Sequence, residues 1–328
     1  MTTSISKPKT RNGMIQFFRA LSIIAVVMIH TSPSGEWQVF GRPFINFGVA
    51  TFLFLSGYLT KIENDNWYAF AKKRILRVLI PYVVWTILYT LQKGGDMLLI
   101  AKNLIIADSA GMMYYILVYI QFVLLTPWLG RLAKSKYRHL GWLVAPISTI
   151  IFVYYGLLTG VELHVYARIF WSDACLRWFT FYYLGLLLGN RIIHPDYSLK
   201  TLTILYVASI VLQMAEGYGW FLLGEDNCGS QIKLSSFLTS TLFLLIVYTI
   251  LSRPYRDVKS RFFRLLGDYS FGIYLCHIMV MTILDKVPYY TVLPWPLTSA
   301  TVVLVSLGCC YMGDKICGER ISSWLGLK

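Results

Sequence analysis

Apolar residues recur along this chain in stretches of 17 to 20, separated by short polar and basic segments. A run of that length crosses a hydrocarbon core of about 30 Å as a helix. Soluble cores use shorter runs interrupted by polar positions. Ten candidate stretches of 15 to 21 residues lie near 14–32, 44–60, 75–92, 112–130, 140–158, 176–190, 201–217, 235–252, 264–284 and 297–314. In lipid each backbone amide must be paired within its own segment, so the pattern predicts helices. A β-barrel would need strands of about ten alternating residues, and the chain has no such pattern. The segment 97–106 is shorter and carries Lys102, which fits an interfacial or re-entrant piece. The expected fold is an all-α, polytopic membrane bundle of about ten helices.

Charge sets the expected orientation. With the N-terminus inside and strict alternation, 22 of the 30 basic residues fall in inner segments and seven in outer ones. Arg19 lies within the first span. Such an asymmetry agrees with the positive-inside rule and puts both termini in the cytoplasm. Met1–Gly13 reads as a short basic cytoplasmic tail before an uncleaved first span, since no small-residue cleavage site follows it. No repeat and no long linker divides residues 1–328, so one membrane-embedded domain is expected.

Composition agrees. Hydrophobic residues make up 56% and charged residues 14%, against about 25% charged in a soluble domain. The net charge of +14 is spread between apolar spans and not along one soluble face, which argues against nucleic acid as a partner. The six cysteines form no CxxC pair, and no ligand cluster calls for a metal. Cys175 and Cys228 both fall in outer segments, within which a disulfide could form.

Charges and imidazoles within spans are functional candidates by default. Arg19 and His30 are eleven residues apart in the first span, three turns plus about 20° on an ideal helix, so they share a side, about 16 Å apart along the axis. One face thus offers a fixed cation near the inner side and an imidazole nearer the outer side. Histidine is suited to general-base work near neutral pH. The plainer alternative is an arginine snorkelling to inner headgroups and a histidine at the outer boundary. His277, Tyr274 and Ser270 lie at i, i−3 and i−7 and share a face of the ninth span, as a substrate-pocket lining or as a hydrogen-bonding seam between helices. Ser56-Gly57 suits close helix packing more than nucleophilic chemistry, and no Gly-x-Ser-x-Gly elbow exists. Glu36, Trp37, Glu162, His164, Trp171, Asp173, Trp220, Glu225 and Asp226 populate outer segments, as an interfacial aromatic belt or as sugar-binding groups.

Four segments in order resemble the acyltransferase-3 family of membrane O-acyltransferases. They are the Arg19-ten residues-His30 spacing, the run Phe52-Leu53-Phe54-Leu55-Ser56-Gly57-Tyr58-Leu59, the run Lys72-Lys73-Arg74-Ile75-Leu76-Arg77 followed by Pro81-Tyr82, and Tyr269-Ser270-Phe271-Gly272-Ile273-Tyr274-Leu275-Cys276-His277. The likeness covers residues 14 to about 315. Members often carry an acidic residue three positions before the arginine; here Gln16 stands there, which leaves open how Arg19 is held.

The resemblance implies transfer of an acyl group, usually acetyl, from cytoplasmic acyl-CoA to a hydroxyl of a saccharide or glycolipid, by an enzyme in the cell membrane. On that reading His30 is the general base and Arg19 orients the donor or neutralises developing charge. Arg74 and Arg77, at i and i+3, would hold the CoA phosphates, with Lys73 beside them adding positive potential. A cytoplasmic helix end is basic for topological reasons as well. His277, Tyr274 and Ser270 would line the acceptor site. Acetyl-CoA is the expected co-substrate, and no metal is expected. The rival reading is a transporter or flippase for a saccharide, which would use the same buried polar residues as a pathway.

Overall fold

The computed structural model describes residues 12–63, 66–161, 175–253 and 258–327, and among these it is helical with no strand. Helix α1 (Gly13–Thr31) starts at Asn12, whose side chain accepts from the Met14 amide at 3.0 Å. A short helix α2 (Trp37–Gly41) runs through a 3-10 turn at Arg42–Phe44 into α3 (Phe47–Tyr58). Next come α4 (Trp67–Gln92), α5 (Met97–Ile106), α6 (Tyr114–Lys134), α7 (Val144–Thr159) and α8 (Phe179–Gly189). The chain continues as α9 (Leu199–Leu222), α10 (Leu234–Leu251), α11 (Arg261–Asp268), α12 (Ser270–Leu284), α13 (Pro288–Thr291), α14 (Leu297–Ile316) and α15 (Gly318–Trp324). Side-chain caps from Asn66, Asp96, Ser198 and Ser260 open α4, α5, α9 and α11 by taking up amides that the first helical turn leaves unpaired.

All ten expected spans coincide with helix, but among the described residues only seven helical stretches are long and apolar enough to cross a membrane, counting Trp37–Tyr58 (α2, the 3-10 turn and α3) as one. The three others have physical reasons for being different. Residues 264–284 are divided between α11 and α12, which meet at an angle of 76°, and these count as an eighth span if the bent pair is one crossing. Helix α7 has only 16 residues and passes through a π-helical stretch at Ile150–Tyr154. Helix α8 has 11 residues, about 16 Å of rise, shorter by itself than a bilayer core, and continues from a 3-10 turn at Cys175–Trp178, where the described residues resume. Its apolarity comes from burial in protein on all sides instead of lipid contact: ten of its eleven residues are buried. The interfacial reading of 97–106 corresponds to the ten-residue α5.

The core is built around α1, which packs against α3, α11, α12 and α14. Helix α8 runs along α3 with the backbones in contact. A Cβ on Gly57 would lie 2.1 Å from the Tyr182 carbonyl oxygen, and one on Gly185 would lie 2.1 Å from that of Phe54. This is the role expected of Gly57, since only glycines let two membrane helices approach so closely. Thr31 Oγ1 and Ser299 Oγ, 2.7 Å apart, tie the end of α1 to α14. Cys175 and Cys228 are both free and buried; Cys228 Sγ instead donates to the Gly35 carbonyl at 3.7 Å.

Candidate active site

Two features meet along α1. The first is a cavity of about 230 Å³ at its Arg19 end, lined by Arg19 from α1, Phe52 and Ser56 from α3, Arg74 and Arg77 from α4, Tyr115 and Tyr119 from α6, and Ser270, Phe271 and Tyr274 from α12. Three arginines thus converge from two helices. Arg74 is held in place: one guanidinium nitrogen donates to Thr60 Oγ1 and the group lies over the Phe70 ring at 4.6 Å. Thr60 in turn donates to the Ser56 carbonyl at 2.7 Å, and Tyr182 approaches it at 3.5 Å. A planar cation fixed in this way presents its remaining donors to the cavity, the geometry that phosphate recognition uses. Arg77 also lines the cavity but is exposed, at the mouth. Lys73 is exposed and does not line it.

The second feature is a pair of histidines beyond the cavity. The ring centroids of His30 and His277 are 5.1 Å apart. His277 is fully buried, and its Nδ1 lies 2.8 Å from the Tyr274 carbonyl oxygen and 3.1 Å from that of Ile273. Both partners can only accept, so Nδ1 carries the proton and Nε2 carries the lone pair. Nε2 is buried with no partner among the described residues. An unsatisfied buried acceptor beside a second imidazole is the kind of exception that calls for an explanation.

Tyr274 links the two features. It lines the cavity, its ring centroid is 6.3 Å from that of His277 and 5.4 Å from that of Tyr115, and its hydroxyl donates to the Met112 carbonyl. That bond fixes the ring as one side of a neck between the arginines and the histidines. Ser270 reaches the cavity wall, but its hydroxyl donates to the Gly267 carbonyl at 2.8 Å, closing the turn before the bend between α11 and α12. Of the residues expected from the sequence, Arg19, Arg74, Arg77, Ser270 and Tyr274 share one cavity, and His30 and His277 share one contact. Glu162, His164, Trp171 and Asp173 lie outside the described residues. Trp220 is buried against Tyr154, centroids 5.6 Å apart, which suits packing. Sequence reasoning did not single out Tyr115, Tyr119 or Thr60. Tyr115 and Tyr119 are a helical i, i+4 pair in a tyrosine-rich start to α6, a visible signal. Thr60 carries none, because its role depends on a neighbour from another helix.

A sequence model of the family described as "Acyltransferase domain", of the acyltransferase-3 type, matches residues 12–313. Comparison with curated proteins and with solved structures returns no match.

Proposed function

Because this chain belongs to the acyltransferase-3 family and is a membrane acyltransferase, we propose that it moves an acetyl group from acetyl-CoA on the cytoplasmic side to a hydroxyl of a saccharide or glycolipid at the cell membrane. The observation that carries this reading is the alignment of the arginine-lined cavity, the Tyr274 neck and the His30–His277 pair along α1. A CoA thioester is long and anionic at one end. Its phosphates would lie against Arg74 and Arg77, with Lys73 adding potential at the mouth and Arg19 further in. The pantetheine arm would cross the span of about 16 Å between Arg19 and His30. The cavity is too small to enclose the whole coenzyme, so the nucleotide would remain at the exposed basic mouth.

The acceptor hydroxyl would meet the thioester at the histidine pair. His30 takes the hydroxyl proton as the oxygen attacks the carbonyl carbon. The carbon–sulfur bond then breaks, and the CoA thiolate leaves and takes up a proton. Neutral imidazole is the group in this region matched to that step. His277, whose Nδ1 is committed to backbone carbonyls and whose Nε2 has no partner among the described residues, would position the reacting hydroxyl through Nε2. The test is incubation of membranes carrying the protein with acetyl-labelled acetyl-CoA, followed by detection of labelled saccharide. Transfer that depends on His30 supports the reading. Saccharide export without any acyl transfer would replace it with a transport function.

A further inference from the structure

At the other end of α1, away from the arginine-lined cavity, stands a cation that the donor site does not use. Arg42 opens the 3-10 turn between α2 and α3 and lies within electrostatic range of His30. Its Nε is buried and without a partner, and no ion pair to Arg42 exists among the described residues. The stem of Arg42 packs over Gly229, where an added Cβ would come within 2.8 Å of it.

The surroundings make the excess positive charge larger. Lys233 is fully buried at the start of α10, its ammonium donates to the Cys228 carbonyl, and it too lies within electrostatic range of Arg42. Burial lowers the Lys233 ammonium to about 8, so at neutral pH it keeps most of its charge. The nearby carboxylate is Glu216, and it is already engaged. One oxygen accepts from the Tyr154 hydroxyl, and the other accepts from the Ser235 amide at 2.9 Å and from the Ser235 hydroxyl. Counted formally, Arg42, Lys233 and Glu216 sum to one positive charge, with Lys233 buried and the other two half-buried. One helical turn beyond Arg42, the buried Asn46 gives its Nδ2 to the Gly229 carbonyl at 3.1 Å and leaves Oδ1 without a partner. A half-buried guanidinium with a buried, unpartnered Nε and no counter-ion among the described residues is destabilising, and a membrane chain has little reason to keep one unless a ligand supplies the missing charge.

We propose that Arg42 is the acceptor-binding residue for an anionic acceptor, a saccharide that carries a carboxylate or a phosphate close to the hydroxyl to be acylated. The inference rests on the acyl-transfer reading and adds the chemical class of the acceptor to it. The guanidinium fork takes two oxygens of either anion, and Asn46 Oδ1 is free to accept from a neighbouring sugar hydroxyl. Held in this way, the acceptor has its reactive hydroxyl at the His30 end of α1, while the donor comes from the Arg19 end.

The test is calorimetric titration of the full chain in nanodiscs with three probes: methyl glucuronide, glucose 6-phosphate and the neutral methyl glucoside. Acetyl-CoA is titrated in parallel. The expected result is at least roughly tenfold tighter binding of one charged probe than of methyl glucoside; whether it is the carboxylate or the phosphate identifies the source of the anion. Arg42→Gln should abolish that preference and leave acetyl-CoA affinity unchanged, which also shows that the variant is folded. Arg42→Lys, which keeps the charge, should retain part of it. Equal affinity for all three probes in the wild type, or a preference that survives Arg42→Gln, overturns the proposal. Failure of the wild type to bind acetyl-CoA would instead contradict the donor side of the acyl-transfer reading, whatever the sugars show.

Discussion

His30 on α1 and His277 on α12 face each other with ring centroids 5.1 Å apart, although they come from opposite ends of the chain. The contact brings together a histidine read from the sequence as a base and one read as part of an acceptor pocket. Their roles are separable, because His277 Nδ1 is bound to the carbonyls of Ile273 and Tyr274 while Nε2 is not.

That asymmetry gives a prediction for His277. An asparagine can place an amide N–H near the position of Nδ1 and so keep a bond to the same carbonyls, but it has nothing at Nε2. His277→Asn should therefore assemble as the wild type does yet lose activity to the level of His277→Ala. Thermal unfolding in detergent and labelled-acetyl transfer, measured on both variants, decide this. Full activity in His277→Asn would mean that the residue serves the helix alone.

Donor binding should depend on the arginine cavity. Arg74→Ala and Arg77→Ala should each weaken acetyl-CoA binding by about 1–3 kcal/mol if they make charge-assisted bonds to phosphate. Because Thr60 fixes the Arg74 guanidinium, Thr60→Val should weaken binding through Arg74, and should add nothing in an Arg74→Ala background. Lys73→Ala should have the smallest effect, since Lys73 is exposed and does not line the cavity. Equilibrium binding of acetyl-CoA to the purified variants measures all four, and an unchanged affinity in the Arg74/Arg77 double variant would leave those arginines a topological role only.

The crossing of α3 and α8 sets a stability prediction. Gly57→Ala and Gly185→Ala each drive a methyl into a backbone carbonyl at 2.1 Å, with no flexible side chain to give way. Each should destabilise the protein by more than the about 1–3 kcal/mol usual for an overpacked core. A substitution at Gly219, where an added Cβ meets nothing within 4 Å, is the control. Similar unfolding temperatures for Gly57→Ala and the wild type would contradict the crossing.

How much of this was legible in the sequence depends on whether a signal is local. The helices are, because a run of apolar residues bounded by basic ones states its own length and end. The shared face of Arg19 and His30 is also local, and so is the Arg74–Arg77 pair. The shortness of α8 is not readable from the sequence, because a segment apolar on all sides looks the same whether lipid or protein surrounds it. The bend at Tyr269 was missed for a related reason: the stretch 264–284 stays apolar past its turn. The His30–His277 contact, the Thr60 support of Arg74 and the unpaired state of Arg42 all need neighbours distant in sequence, and no periodicity encodes them.

The basic asymmetry predicts an orientation that labelling can test. Tags at residues 95 and 228 should be reached by a membrane-impermeant reagent from outside, and tags at 135 and 258 only after permeabilisation. Labelling of residue 258 from outside in intact cells would contradict the alternation.

The most direct measurement compares His30→Ala with the wild type in one preparation, reading acetyl-CoA binding and labelled-acetyl transfer side by side. General-base removal lowers a rate by about 10²–10⁴, and His30 lies beyond the arginine cavity and outside its lining. His30→Ala should therefore bind acetyl-CoA as the wild type does and transfer acetyl at least about 100-fold more slowly. Transfer at a near-wild-type rate by His30→Ala would contradict the account.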